Sequence, residues 1–155
     1  MEVNHPAPVT LMRALEEAWP SALSFDELEP RLKESGFELD APGVTLLIQM
    51  AVAKFLDLHC WNAPVARVIA ERPRASAVAR QEIATRMQAI TLLHSTVQLE
   101  DPMARRFLIL LDGTHDRGEL AALLKAGFPD RAADEIEKGI EHSLEYFRRA
   151  GFLEE

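Results

Sequence analysis

A short pattern occurs twice along this chain, and it limits the fold more than any other feature. Phe25-Asp26-Glu27-Leu28, followed by Leu32-Lys33 and Gly36-Phe37, is echoed by Arg117-Gly118-Glu119-Leu120, followed by Leu124-Lys125 and Gly127-Phe128. The offset is 92 at the start and 91 at the end, so one residue is lost between. Internal self-similarity of this kind means that one supersecondary unit is used twice.

The flanking periodicities define what each unit contains. In the first, Leu11, Leu15, Ala18 and Trp19 share a helical face over Val9 to Trp19, and Pro20 ends the helix. Ser24 and Glu27 form a capping box that opens a second helix reaching about Ser35, with Gly36 as its stop. A third helix from about Pro42 to Phe55 is apolar nearly all round, which predicts a central buried helix. Phe55 to Trp61 then alternates apolar and polar residues and predicts a short strand.

The second unit repeats this order. Asp101-Pro102 opens a helix running to Leu111. Asp116 and Glu119 supply another capping box, and Ala133, Ile136, Ile140, Leu144 and Phe147 form one stripe of a helix from about Asp130 to Ala150. Gly151-Phe152-Leu153 follows it much as Phe55-Leu56 follows the first unit's third helix. Between the units, Val78 to Met87 is polar and arginine-bearing, a helix or ordered linker. The β-branched run Ala89 to Leu99 predicts a strand that could pair with the one near Leu56 to Trp61. The fold class expected is therefore mainly α with a few short β-strands, as tandem winged-helix-like units. The domains expected are 1–64, an arginine-bearing connector over 65–88, and a second unit over 89–155.

Charge and composition narrow the function classes. The longest uncharged helical stretch, Ala41 to Ala53, is shorter than the roughly 20 residues a bilayer span needs, so no membrane partner is expected. Glu2, His5 and Pro6 stand where a secretory signal would begin, and a cytoplasmic location is expected. Cys60 is the single cysteine, which excludes an internal disulfide framework and a cysteine-rich zinc site. The formal net charge of −8 is uneven: residues 1–64 carry −6, residues 65–95 carry +3, and residues 96–155 carry −5. Acidic flanks repel a phosphate backbone, so no nucleic-acid partner is expected.

Catalytic, cofactor-binding and metal-ligating residues are not found. His5, His59, His94, His115 and His142 contain no pair at helical ligand spacing. His59 adjoins Cys60, so the two would point to opposite faces of a strand. No Gly-x-Ser-x-Gly elbow is present. The turn Asp112-Gly113-Thr114-His115-Asp116-Arg117 reads two ways. It could be a binding loop whose Arg117 meets a carboxylate or phosphate. The reading ranked first is structural: Gly113 takes a positive φ, while Asp112, Thr114 and Asp116 cap the adjoining helices.

The middle of the chain carries an ordered set of motifs. Pro73-Arg74-Ala75-Ser76 is followed by Ala79-Arg80, then Ile90-Thr91-Leu92-Leu93-His94, then Val97 and Leu99, then Leu110 to Arg117. This set resembles the C-terminal winged-helix region of the methyltransferase regulatory-domain family, which includes the bacterial protein-lysine methyltransferases. The resemblance runs from about Pro73 to Leu124. Leu92 stands where the family usually has Asn, Leu93 where it has Arg, and His115 replaces the first Arg of the turn. The family's Gly-rich S-adenosylmethionine loop has no counterpart here.

The resemblance implies a non-catalytic regulatory or docking module, not an enzyme in its own right. Its partner would be a methyltransferase catalytic domain or a protein substrate, with S-adenosylmethionine held only in that separate catalytic domain. Arg74, Arg80, His94, Asp112, Thr114, Asp116 and Arg117 are the candidate partner contacts or structural ion pairs. The alternative is a DNA-binding winged-helix regulator. It ranks below because neither candidate recognition helix, Pro42 to Phe55 or Arg131 to Ala150, has a basic face.

Overall fold

The computed structural model describes residues 6–34 and 36–155. The chain forms two compact units, Met1–Asn62 and Ala63–Glu155.

Unit 1 contains α1 (Pro6–Ala18), α2 (Phe25–Lys33) and α3 (Ala41–Val52). Its core takes Leu11 and Ala14 from α1, Leu28 and Leu32 from α2, and Leu47 and Met50 from α3. The predicted capping box forms. The Ser24 hydroxyl accepts from the Glu27 N–H at 3.2 Å, and the Glu27 carboxylate accepts from the Ser24 N–H at 2.9 Å. At the far end the Phe37 N–H reaches the Leu32 carbonyl at 3.0 Å across Gly36, the pattern of a Schellman stop. The expected last helical residue, Ser35, lies outside the described residues, as does His5.

Two expectations for unit 1 need correction. Only one face of α3 is buried, through Gly43, Leu47 and Met50, while Val44, Ile48 and Val52 are exposed. The strand expected over Phe55 to Trp61 does not form. Instead Lys54 takes a left-handed conformation, φ 63°, and the Phe55 N–H closes on the Met50 carbonyl at 2.9 Å. Alternation describes one strand's faces, but a strand also needs a neighbour to take its backbone hydrogen bonds, and none pairs with it among the described residues.

Unit 2 contains α4 (Ala77–Thr85), β1 (Gln88–Ile90), β2 (Thr96–Gln98), α5 (Pro102–Leu110), α6 (Arg117–Gly127) and α7 (Ala133–Arg149). β1 and β2 are antiparallel, with Gln88 opposite Gln98 and Ile90 opposite Thr96. The run expected as one strand over 89–99 is therefore a hairpin, and β1 pairs with β2 rather than with the 56–61 segment. Thr91 makes the turn: its hydroxyl accepts from the N–H groups of Leu93 and Ser95 at 3.2 and 3.3 Å, and His94 adopts φ 57°. A turn made without Gly, Pro or Asn carries no strong punctuation in the sequence.

The segment 65–88, expected as a connector, is built into unit 2. Ala75, Ala79 and Ile83 are buried in its core. The backbone of this segment forms bridges at Val65 with Glu154, Arg74 with Asp112, and Ala75 with Leu153. Of the two readings of Val78 to Met87, the helix forms, as α4, and the small residues Ala75 and Ala79 let the backbone pack closely.

The repeat is visible in the geometry. Asp116 and Glu119 form the second capping box, each accepting at 2.9 Å. Leu120 and Leu124 are buried as Leu28 and Leu32 are. α7 buries Ile136, Ile140, Leu144 and Phe147 against Phe107 and Leu108 of α5. Each such large apolar side chain contributes roughly 1.5–3 kcal/mol on burial. α7 then stops at Gly151, φ 77°, where the Phe152 N–H reaches the Phe147 carbonyl at 2.9 Å.

Candidate functional site

The turn after α5 is held against two other segments. The N–H of Ala75 donates to the Leu111 carbonyl at 2.8 Å, and the N–H of Glu154 donates to the Arg74 carbonyl at 2.8 Å. Residues 74–75 are thus clasped between the start of the turn and the strand-like end of unit 2. The Arg74 guanidinium reaches the Glu154 carboxylate at 3.1 Å. Its aliphatic stem covers Gly113, where a Cβ would stand 3.4 Å from the Arg74 Cβ. Gly113 itself has φ 86°, a conformation that side chains oppose.

Asp112 is the electrostatic centre of the turn. It accepts from the Thr114 hydroxyl at 2.6 Å and from the Thr114 N–H at 2.9 Å, with His115 Nδ1 at 3.3 Å. These hydrogen bonds, the Thr114 hydroxyl first, hold its carboxyl down to about 2, from an ordinary value of 3.8. A carboxylate so stabilised is ionised at neutral pH and is a weak general base. The expected helix-capping role holds only for Asp116. Asp112 and Thr114 serve each other instead, because Leu111 ends α5 and leaves the next two residues to make their own turn.

Arg117 donates to the Glu141 carboxylate of α7 at 3.0 Å and to the Ala70 carbonyl at 3.4 Å. Arg72 donates to the Thr114 carbonyl. Arg80 turns back onto the Ala75 carbonyl at 3.3 Å. The structure therefore gathers Arg74, Asp112, Thr114 and Arg117 about one turn. Asp116 caps the helix beside them and Arg80 braces the clasped segment. His94 is placed on the hairpin loop instead. Glu141 and Glu154 were missed from sequence, because each is set opposite its arginine by the tertiary fold, and no local signal marks either one.

Other chemistry is sparse. Cys60 is exposed. Among the described residues no three His, Cys, Asp or Glu side chains are grouped to hold a metal ion. No described helix is long and apolar enough to cross a membrane. A groove of about 190 Å³ between α6 and α7 is lined by alanines and Ile136, with Lys125 and Glu137 at it. The Lys125 ammonium is committed to the Pro129 and Arg131 carbonyls. α7 itself carries Asp134, Glu135, Glu137, Glu141 and Glu145 against Lys138, Arg148 and Arg149.

Four helices, the hairpin and the clasped terminal segments give unit 2 a winged-helix fold, and the sequence comparison agrees. Residues 71–130 match the family described as PKMT, C-terminal winged helix domain, a stretch that contains the motifs from Pro73 to Leu124. No curated protein matches the chain. Among solved structures, that of PKMT2 from Rickettsia typhi aligns at a TM-score of 0.70 and 18% identity, over 84% of this chain and 31% of that one. The same protein in complex with AdoHcy aligns at 0.67 and 14% identity, over the same 84% and 31%. The chain thus spans about a third of the length of those proteins, and at such identity the likeness is one of fold.

Proposed function

We propose that this chain is a non-catalytic regulatory or docking module of a protein-lysine-methyltransferase-like protein, acting in the cytoplasm through protein–protein contact. The observation that carries this reading is the match of residues 71–130 to the PKMT C-terminal winged helix, on a unit that folds as that domain should. Its partner is the methyltransferase catalytic domain or that domain's protein substrate, and S-adenosylmethionine binds the catalytic domain. On this reading the chain itself seats no cofactor. The paired strands of the described chain form a two-stranded antiparallel hairpin, not the parallel strand, Gly-rich turn and helix that seat such a nucleotide. The ion pairs of Arg74 and Arg117 favour a positioning role for the turn over a direct contact.

The transcription-factor alternative gains no support. A recognition helix inserted into a groove presents Lys and Arg to phosphates and bases, whereas α7 has more acidic than basic side chains. The test is a titration of the purified chain against the catalytic portion of a PKMT-type methyltransferase and, in parallel, against duplex DNA over a salt series. Saturable binding to the protein alone is expected. Tight DNA binding that weakens steeply with salt, without binding to the catalytic portion, would overturn the reading.

A further inference from the structure

The exposed side of α3 carries no charge. Gly43, Leu47 and Met50 face the core of unit 1. The opposite side holds Val44, Ile48 and Val52 at i, i+4 and i+8, which are 38%, 52% and 79% exposed. Thr45 and Gln49 stand beside them, and the uncharged run extends from Ala41 to Ala53. A solvated helix face ordinarily mixes charges among its polar residues, so an apolar ridge without any is a surface awaiting a neighbour.

The charges at the two ends of the ridge say which neighbour fits. Exposed Glu38 and Asp40 lie just before the N-terminus of α3, and exposed Lys54 lies just after its C-terminus. Lys33, five residues before Glu38, is paired with Glu29 at 2.8 Å. The ridge is therefore negative at its start, neutral along its length and positive at its end. Such a surface is self-complementary when inverted. An antiparallel copy sets Val44 near Val52, Ile48 on Ile48, and Lys54 beside the acidic pair, and it also opposes the two helix dipoles favourably.

We infer that α3 is a homodimerisation face, on which a second copy of this chain seats its own α3 antiparallel about a twofold axis. The inference stands apart from the docking role of unit 2. A 12-residue helix is about 18 Å long, so a single helix pair falls at the small end of specific interfaces. The dimer is accordingly weak, with a Kd of the order of 10 µM.

Sedimentation equilibrium of the full chain from about 1 to 200 µM, bracketing that Kd, tests this. The mass should rise from 17.4 kDa toward twice that value. Ile48→Glu, a change at an exposed site, should keep the helical circular dichroism and hold the mass at one chain. Lys54→Glu should weaken association about tenfold, and the double variant Glu38→Lys/Lys54→Glu should recover part of that loss, since Asp40 stays acidic. A folded chain that stays monomeric throughout overturns the proposal, including the case in which the ridge binds a methyltransferase catalytic portion instead. A dimer indifferent to Ile48→Glu overturns it as well. Failure of the double variant to recover any of that loss overturns the antiparallel arrangement.

Discussion

Phe147 and Phe152 meet edge to face, ring centroids 5.7 Å apart, across the left-handed turn that Gly151 makes at the end of α7. The contact joins the last buried turn of the helix to the segment that returns beside residues 65–66 and 74–76. A Cβ at position 151 would lie 2.8 Å from Leu93 Cγ and 2.9 Å from Leu93 Cδ1. Gly151→Ala adds this clash to the penalty of φ 77° and should destabilise unit 2 by about 2–4 kcal/mol. Urea denaturation checks it, and an unchanged midpoint would count against the described packing.

The equivalent stop in unit 1 uses Lys54 in place of glycine, at φ 63°. Lys54→Gly should therefore stabilise unit 1, by about 1 kcal/mol. The phenylalanines that follow the two stops should differ. Phe152 is fully buried and Phe55 is exposed, so Phe152→Ala should cost about 3–5 kcal/mol and Phe55→Ala below about 1 kcal/mol. Thermal melts of the three single variants decide the comparison.

The ends of elements were legible in the sequence because their chemistry is local. Ser24 with Glu27, Asp116 with Glu119, Asp101 before Pro102, and Gly36 as a stop all act within a few residues, and each is found where the pattern placed it. What the sequence hid was pairing. Phe55 to Trp61 alternates as a strand would but pairs with no strand among the described residues, and 89–99 folds on itself because Thr91 and His94 make a turn that ordinarily calls for glycine or asparagine. The close approach of Gly43 to the Glu38 carbonyl, 2.3 Å from where a Cβ would stand, was equally silent. In the candidate turn, Asp112 to Arg117 was visible as a polar cluster, while Glu141 and Glu154 became its partners only through the fold.

The two capping boxes should act alike. Ser24→Ala and Asp116→Ala each strand N–H groups at a helix start and should each cost about 1 kcal/mol. Lying in different units, the two losses should add within about 0.5 kcal/mol. Denaturant titration of the single and double variants measures this.

Acid should loosen the 112–117 turn. The Asp112 carboxyl titrates at about 2 when folded and near 3.8 when free. Between these values the unfolded chain binds the extra proton, so the stabilisation from Asp112 is full only above about pH 5, declines as pH falls through 3.8, and is gone below 2. Thr114→Val removes the hydroxyl donor and should raise the folded value toward 3.8. Carboxyl chemical shifts followed by NMR from pH 6 to pH 1.5, a range spanning both forms, would show it. A titration of Asp112 that Thr114→Val leaves unmoved would contradict the assigned cause.

The docking role is tested most directly by methyl transfer in trans. A PKMT-type catalytic portion is assayed on a protein substrate with and without this chain, using labelled S-adenosylmethionine, beside the chain alone. The account predicts no transfer by the chain alone and a several-fold change in the catalytic portion's kcat/KM when the chain is added. Transfer by the chain alone, or a kcat/KM that saturating chain leaves unchanged, would contradict it.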